Sequence, residues 1–161
     1  MEKQSKLIKT PFDELTYAII GCAMASHSQL GPGHRENIYQ RDLGNRLAER
    51  QVPYEAQKLY EVFGGTGRDA LIGYYIPDFV VAEQVVVEIK ALPGLGSEHT
   101  AQVIGYLAVS GCPLGLLINF GERRLRYHRI LPPLKIQEHE VNHQWLFTPD
   151  WLKQAPGSGR T

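Results

Sequence analysis

In the stretch IPDFVVAEQVVVEIK, at residues 76–90, two acids and a lysine occupy predicted strand positions: Asp78, Glu88 and Lys90. Its valine-rich runs, separated by AEQ, predict two β-strands joined by a tight turn centred on Glu83, so that Asp78 faces Glu88. Side-chain alternation then places Lys90 on the same face as both acids. Facing carboxylates about 5 Å apart repel each other unless a cation lies between them, and hard oxygen ligands suit Mg²⁺ or Mn²⁺. The stretch therefore predicts a divalent-cation site.

An exposed hairpin face with scattered charges is the alternative interpretation, and ion pairs on such a face contribute little to stability. A shift of the register by one residue would also move Asp78 to the opposite face. That opposite face is uniformly apolar and is predicted to lie on the core; it comprises Phe79, Val81, Val85, Val87 and Ile89. The rest of the chain has to distinguish the two interpretations.

The elements that must position these residues predict a small α/β or α+β domain, with a central mixed β-sheet flanked by helices. Helices are predicted at residues 10–30, 35–50 and 99–111, and strands at 54–63, 71–81, 85–91, 114–120 and 124–130. Thr10 and Pro11 suit the start of the first helix. The apolar side of the second helix is predicted to consist of Ile38, Leu43 and Leu47.

Length and composition indicate one domain with an apolar core. We assign residues 1–131 to this domain and residues 132–161 to a C-terminal extension whose end is disordered. Lys and Arg together number 17, as do Asp and Glu, so the net charge is zero. A neutral chain has no bulk field that attracts nucleic acid or membrane, and binding to either requires a local patch.

Further protein classes are excluded by hydropathy and cysteine content. No apolar run approaches the roughly 20 residues that span a bilayer, and the first residues lack the apolar core of a signal peptide. Cys22 and Cys112 lie in apolar segments, which predicts two buried thiols in a cytoplasmic protein. Two cysteines also cannot hold a four-cysteine iron–sulfur cluster.

Several motifs in chain order resemble the PD-(D/E)xK nuclease superfamily, over roughly residues 15–130. Pro77-Asp78 followed by Glu88-Ile89-Lys90 is similar to the motif that names it. GHRENIY, with Gly33, Glu36 and Tyr39, resembles the motif of the GxxExxY protein family. HTAQVIGY resembles the QxxxY motif, here Gln102 and Tyr106, of nucleases associated with recombination helicases, and LGLLINFG is similar to a buried strand of that family.

The resemblance implies a restriction-endonuclease-like fold and metal-dependent hydrolysis of phosphodiester bonds, in DNA rather than RNA. Asp78 and Glu88 would ligate Mg²⁺ or Mn²⁺ together with the backbone carbonyl of Ile89. Glu36 would approach the same ion or a second one, and Lys90 would position the attacking water and stabilise charge on the phosphate. A glutamate in the first turn of a helix is equally explained by the helix dipole.

Further polar residues are candidates for contacts with the substrate or with Lys90. Gln102 and Tyr106, with His99, form a polar stripe at helical spacing on the third helix. The first two would hold the phosphate or the surroundings of Lys90 by hydrogen bonds, whereas His99 is expected to be exposed and incidental. Basic residues that could grip phosphates, or simply protect a charged edge strand, are Arg68, Arg123, Arg124, Arg126 and Arg129.

Three alternatives remain open. HEVNH at residues 139–143 matches the HExxH pattern of zinc proteases, with Asp150 as a third ligand, but chance is the better explanation because so little chain follows it. A nuclease fold could bind nucleic acid or a protein without cutting it. The chain could also act as a homo-oligomer or with a larger helicase-like partner. The sequence does not select exonuclease or endonuclease action, strand preference or sequence specificity.

Overall fold

A computed structural model describes residues 12–134, 141 and 143–154. Its helices and strands, in chain order, are α1 (Asp13–Leu30), α2 (Glu36–Glu49), β1 (Tyr54–Ala56), β2 (Tyr60–Gly64), β3 (Ala70–Tyr75), β4 (Phe79–Val81), β5 (Val85–Lys90), α3 (Ser97–Ser110), β6 (Leu114–Asn119), β7 (Arg126–Ile130) and α4 (Asp150–Lys153). The predicted helix start at Thr10 and Pro11 lies outside the described residues. Phe12 precedes α1 with a left-handed backbone, φ 65°.

The central sheet is mixed, as predicted. Its five strands follow the order β1-β4-β5-β6-β7, and every pair is antiparallel except β5 and β6. The parallel pair is connected through α3, the crossover helix that parallel neighbours require. Strands β2 and β3 form a separate two-stranded antiparallel sheet. The architecture is therefore α+β, with a central mixed sheet flanked by helices.

Both faces of the central sheet are covered. Helices α1 and α2 pack against one face through a cluster that includes Ile19, Leu43, Val87 and Ile118, all fully buried. Helix α3 and the β2–β3 sheet cover the other face, where Val86 and Leu107 are fully buried. The near-continuous apolar sequences of β5 and β6 follow from this double coverage, because a strand buried on both faces needs no polar alternation.

The β4–β5 hairpin has the predicted register. Val81 pairs with Val85 and Phe79 with Val87, and the apolar side of the hairpin lies in the core against α1 and α2. The turn between them places Ala82 at φ 50° and Glu83 at φ 59°, both in the left-handed region. Hairpin turns of this kind favour Asn-Gly, so the sequence forms the turn without its preferred residues.

Two of the predicted strands are interrupted. The run 71–81 is divided between β3 and β4, which belong to different sheets, because Pro77 lacks the N–H needed to continue a ladder. The run 54–63 is divided at Gln57, whose φ of 52° ends β1. Five strands rather than three therefore precede α3. The predicted single strands were wrong at both points.

The buried face of α2 is also rotated from the prediction. Leu43 and Leu47 are fully buried as expected, but Ile38 is 44% exposed and Tyr39 takes its place in the core. Residues three or four apart share a helix face, and Tyr39 lies exactly four before Leu43. Within the described parts of the chain, no helix combines the length and apolar character needed to cross a bilayer.

Candidate active site

Asp78 and Glu88 meet at the end of the β4–β5 hairpin. Asp78 directly precedes β4, and Glu88 lies in β5. The backbone N–H of Asp78 donates to Glu88 Oε2 at 3.2 Å, and the N–H of Ile89 donates to Asp78 Oδ2 at 2.7 Å. A further bond, from the N–H of Gln57 to the carbonyl oxygen of Asp78, is 3.0 Å long. The predicted pairing of the two acids is confirmed, and backbone bonds hold it.

Both carboxylates are held where their charges are unfavourable. Burial raises the pKa of Asp78, against the lowering effect of the hydrogen bond from Ile89. Burial, followed by the charge of Asp78, raises the pKa of Glu88, while Lys90 opposes this rise. Glu88 is 5% exposed. The alternative of an exposed, solvated face is therefore wrong, because α3 and the β2–β3 sheet cover this side of the hairpin.

Lys90 supplies the cation at this pair. Its Nζ lies 3.5 Å from Glu88 Oε1, and its side chain is as deeply buried as that of Glu88. The ammonium also lies 4.4 Å from the centre of the Trp145 ring. One positive charge thus accompanies the half-buried Asp78 and the buried Glu88, so the cluster has a net negative charge when both acids ionise.

Gln102 and Tyr106 face the acids from α3, but their hydrogen bonds do not reach Lys90. Gln102 Nε2 donates to Glu88 Oε1 at 3.3 Å and to the Tyr106 hydroxyl at 2.8 Å. Burial, and next the charge of Glu88, raises the pKa of Tyr106 above its ordinary value. The polar stripe on α3 is buried rather than exposed to solvent, and it contacts Glu88 through Gln102. Gln102 Oε1 is buried with no hydrogen-bond partner among the described residues.

His99 is placed differently from the prediction of an exposed, incidental residue. It is 8% exposed, and its Nδ1 accepts a hydrogen bond from the N–H of Gly96 at 2.8 Å. Because the first N–H groups of a helix lack partners within it, residues at this position commonly close back on the preceding backbone. His99 therefore caps the start of α3 and helps to hold the helix that carries Gln102.

Glu36 and Tyr39 of the predicted GxxExxY motif have separate environments. Glu36 is exposed at the first turn of α2, yet its charge contributes to the raised pKa values of Asp78 and Glu88. Tyr39 is buried in the apolar core and donates its hydroxyl to the carbonyl of Gly31. It stabilises the connection between α1 and α2. Among the described residues, no three His, Cys, Asp or Glu side chains form a metal-ligand group, so Glu36 does not complete a three-acid cluster.

Comparison with known proteins identifies the family. A family model of the PD-(D/E)XK nuclease superfamily matches residues 13–130. The chain belongs to this superfamily. No curated protein gives a match. The match concerns the superfamily as a whole, and membership in the GxxExxY family stays a prediction.

Two solved structures are similar to this chain. The crystal structure of SSO0001 superposes with a TM-score of 0.51 at 20% identity, covering 63% of this chain and 52% of that chain. This chain thus spans about half the length of that relative. An alkaline exonuclease (LHK-Exo) from Laribacter hongkongensis is similar at a TM-score of 0.46 and 11% identity, over 81% of this chain and 78% of that chain. The superfamily match, together with the central mixed sheet flanked by helices, makes the fold restriction-endonuclease-like, as expected.

The predicted basic residues lie in parts of the chain other than the β4–β5 hairpin that carries the acids. Strand β7 is an edge of the central sheet, and its Arg126 and Arg129 are exposed. Arg126 Nε lies 3.8 Å from Glu122, and the Arg129 guanidinium lies 5.8 Å from the Tyr127 ring centre. Arg68 is exposed in the connection between β2 and β3. Their contact with phosphates stays a prediction.

The sequence pattern missed one residue at the acids, Trp145. It lies beyond the part of the chain that matches the superfamily, in a segment without strong periodicity, and its distance in sequence from Lys90 gives no local signal. Of the HEVNH motif, His139, Glu140 and Asn142 lie outside the described residues. His143 is described and exposed.

Proposed function

We propose that this protein is a divalent-metal-dependent nuclease that hydrolyses phosphodiester bonds of DNA. The observation that carries the proposal is the pair of the half-buried Asp78 and the buried Glu88, with the ammonium of Lys90 3.5 Å from Glu88. Buried acids with raised pKa values are typical of functional sites, since a fold gains no stability from burying them together. Membership in a nuclease superfamily supports the same chemistry.

The donor set suits Mg²⁺ or Mn²⁺. Both ions prefer oxygen ligands, and the two carboxylates supply more negative charge than Lys90 alone neutralises. We propose Asp78, Glu88 and the backbone carbonyl of Ile89 as ligands; Glu36 lies outside their cluster and contributes its negative charge from the exposed side. When bound there, the ion supplies Lewis-acid chemistry by acidifying a water molecule and neutralising phosphate oxygens.

The protein residues have distinct proposed roles. Lys90 orients the attacking water and stabilises the charge that develops on the phosphate. Gln102 fixes the carboxylate of Glu88 through its Nε2 bond, and Tyr106 in turn accepts a bond from the same amide nitrogen. This chain of contacts holds Glu88 in one orientation, which pre-organises the ligand before substrate binds.

Substrate binding requires basic groups outside the cluster. We propose that exposed arginines of β7, with Arg68, contact the DNA backbone, because phosphate contacts supply most of the affinity of nucleic-acid binding. A net charge of zero supports a contribution from a second copy of the chain or from a helicase-like partner. The two free, buried thiols support a cytoplasmic location.

Cleavage of end-labelled linear DNA and of closed circular DNA, with Mg²⁺, Mn²⁺ or EDTA, tests the proposal. We expect metal-dependent cutting by the wild type and none by Asp78→Asn, which preserves the side-chain shape while removing its charge. Glu83→Gln is the matched control, because it removes an exposed acid at the other end of the same hairpin. Cutting of the circle would indicate an endonuclease.

The binding-module alternative predicts a different result. A melting temperature that rises with Mg²⁺ in the wild type but not in Asp78→Asn, without cutting of either DNA, would contradict the nuclease proposal and favour binding alone. Equal cutting by wild type and Asp78→Asn would also contradict it, since a charged ligand at this position would then be unnecessary.

A further inference from the structure

The C-terminal segment brings an aromatic ring to the lysine of the acidic cluster. Trp145 lies fifteen residues beyond the superfamily match, which ends at residue 130. The centre of its ring is 4.4 Å from Lys90 Nζ, and the His99 ring centre is 6.4 Å from that of Trp145. The indole is half-buried, and its Nε1 is buried with no hydrogen-bond partner among the described residues. The ring face, rather than the N–H group, therefore makes its polar contact.

Backbone pairing with β3 fixes the position of this ring. Tyr74 and Phe147 exchange two backbone hydrogen bonds of 2.8 Å each, only two residues after Trp145. Gly73 permits the approach, because a Cβ there would lie 2.8 Å from both Leu146 Cγ and the Phe147 carbonyl oxygen. Tyr74 also contacts the ring of Trp151, with ring centres 6.5 Å apart. The segment that carries Trp145 is thus held against β3 by the backbone bonds of Phe147 and, further along the chain, by the ring of Trp151.

The contact between the Trp145 ring and Lys90 matters because a lysine side chain is intrinsically mobile. Its four-carbon stem has large rotamer freedom, and an ammonium beside a single carboxylate oxygen can move among several positions. An aromatic face attracts an ammonium through its ring quadrupole, most strongly where water is excluded. Lys90 is 5% exposed, so this attraction acts in a desolvated setting.

We propose that Trp145 is a positioning residue that holds the Lys90 ammonium beside Glu88 through a cation–π contact. The proposal rests on the proposed nuclease function for its catalytic consequence. Trp145 acts through Lys90 and has no direct contact with the reacting atoms. The C-terminal segment is then a part of the active site, although the superfamily match does not include it.

Steady-state cleavage kinetics of Trp145→Phe and Trp145→Leu test the catalytic consequence. Both replacements fill the site with an apolar side chain, but only phenylalanine retains an aromatic face. We expect Trp145→Leu to lower kcat by about tenfold, Trp145→Phe by about threefold or less, and KM to change little in either variant. Trp151→Phe is the matched control, since it changes the other tryptophan of the same segment, and we expect wild-type kinetics.

Three kinetic outcomes overturn the proposal and leave the nuclease function standing. Wild-type kcat in Trp145→Leu would mean that the aromatic face has no role. Faster cleavage by Trp145→Leu would mean that the ring obstructs the site rather than positioning Lys90. Equal losses in the leucine and phenylalanine variants would indicate a packing role alone, and would also overturn it.

Fluorescence tests the contact without any cleavage. The chain has two tryptophans, so Trp151→Phe leaves Trp145 as the single emitter. In that background we expect Lys90→Met to change the intensity and wavelength of Trp145 emission, because it removes an ammonium from the indole face. Lys58→Met, on a half-buried lysine whose ammonium lies over the Tyr60 ring instead, is the control and should leave the emission unchanged.

The two measurements separate the two proposals. Unchanged Trp145 emission in Lys90→Met would overturn the positioning proposal, whether or not the wild type cuts DNA. If the wild type fails to cut any substrate while the emission changes as expected, the nuclease function is overturned and the Trp145–Lys90 contact is upheld.

Discussion

The two faces of the central sheet differ in the kind of side chain that they bury. The face against α1 and α2 is built from fully buried apolar groups such as Val87 and Ile118. The face against α3 contains apolar residues too, but it also buries Glu88, Lys90 and Gln102. Each buried apolar side chain stabilises the fold, whereas burial of two like charges opposes it. The face against α1 and α2 therefore stabilises the fold, whereas the charged groups buried on the face against α3 lower its stability.

Among substitutions that test this difference between the faces, the largest expected effect is on catalysis, from a change on the face against α3. Lys90→Ala should lower cleavage by at least about 1000-fold, because it removes the charge that stabilises the phosphate in the transition state. We expect the variant to stay folded, since Asp78 and Glu88 can retain a proton when the ammonium is lost. Cleavage assays with circular dichroism measure both properties. Full activity in this variant would contradict the mechanism.

A substitution on the apolar face should have the converse effect. Ile118→Ala removes a fully buried side chain that packs against α1 and α2, and should lower the free energy of unfolding by about 2–5 kcal/mol. Its remaining folded fraction should cut DNA normally. Chemical denaturation, together with the cleavage rate per folded molecule, measures this. A normal unfolding free energy would mean that the face is less tightly packed than the structure indicates.

A change on the polar face should raise stability while it removes function. Asp78→Asn keeps an acceptor for the N–H of Ile89 and removes one of two facing charges. In EDTA, we expect the free energy of unfolding at neutral pH to rise by about 1–2 kcal/mol, although cleavage is lost. Denaturant titration of the metal-free proteins measures the difference. A decrease would show that the negative charge of Asp78 is already compensated within the fold.

The smallest expected effect is on the pH dependence of stability. The pKa values of Asp78 and Glu88 are raised in the fold, so the folded protein retains protons that the unfolded chain releases. Without metal, stability should therefore fall as the pH rises above the ordinary carboxylate values of about 4. Added Mg²⁺ should stabilise the wild type increasingly over the same range, because only ionised carboxylates bind it.

Thermal unfolding of wild type and Asp78→Asn at a series of pH values, with EDTA or Mg²⁺, measures both trends. The asparagine variant should show a shallower loss of stability in EDTA and little response to Mg²⁺. A wild type that instead gains stability from pH 4 to pH 7 in EDTA would contradict the raised pKa values.

The sequence predicted the parts of the fold that follow from local alternation. The register of the β4–β5 hairpin was correct because a shift by one residue would have moved Phe79 and Val87 out of the core. The same logic failed across Pro77, where an apolar run continues in sequence while the chain passes to a second sheet. Periodicity shows which face is buried, but not which sheet a strand joins.

The site was predictable only in part for the same reason. Asp78, Glu88 and Lys90 are close because they share one hairpin, which the sequence specifies directly. Trp145 is close because its segment pairs with Tyr74 and passes over Gly73, and this depends on tertiary contact rather than on periodicity. The exposure of Ile38 likewise depends on how α2 is rotated against the sheet.

The turn of the β4–β5 hairpin has a consequence for protein engineering. Ala82 and Glu83 adopt left-handed backbone angles that cost an ordinary residue free energy, and they lie at the opposite end of the hairpin from the acids. Replacing them by Asn-Gly would suit the observed turn and would stabilise the hairpin without altering its register. The free energy of unfolding of such a protein would be higher, so that active-site substitutions that destabilise the natural chain could be made while the protein stays folded.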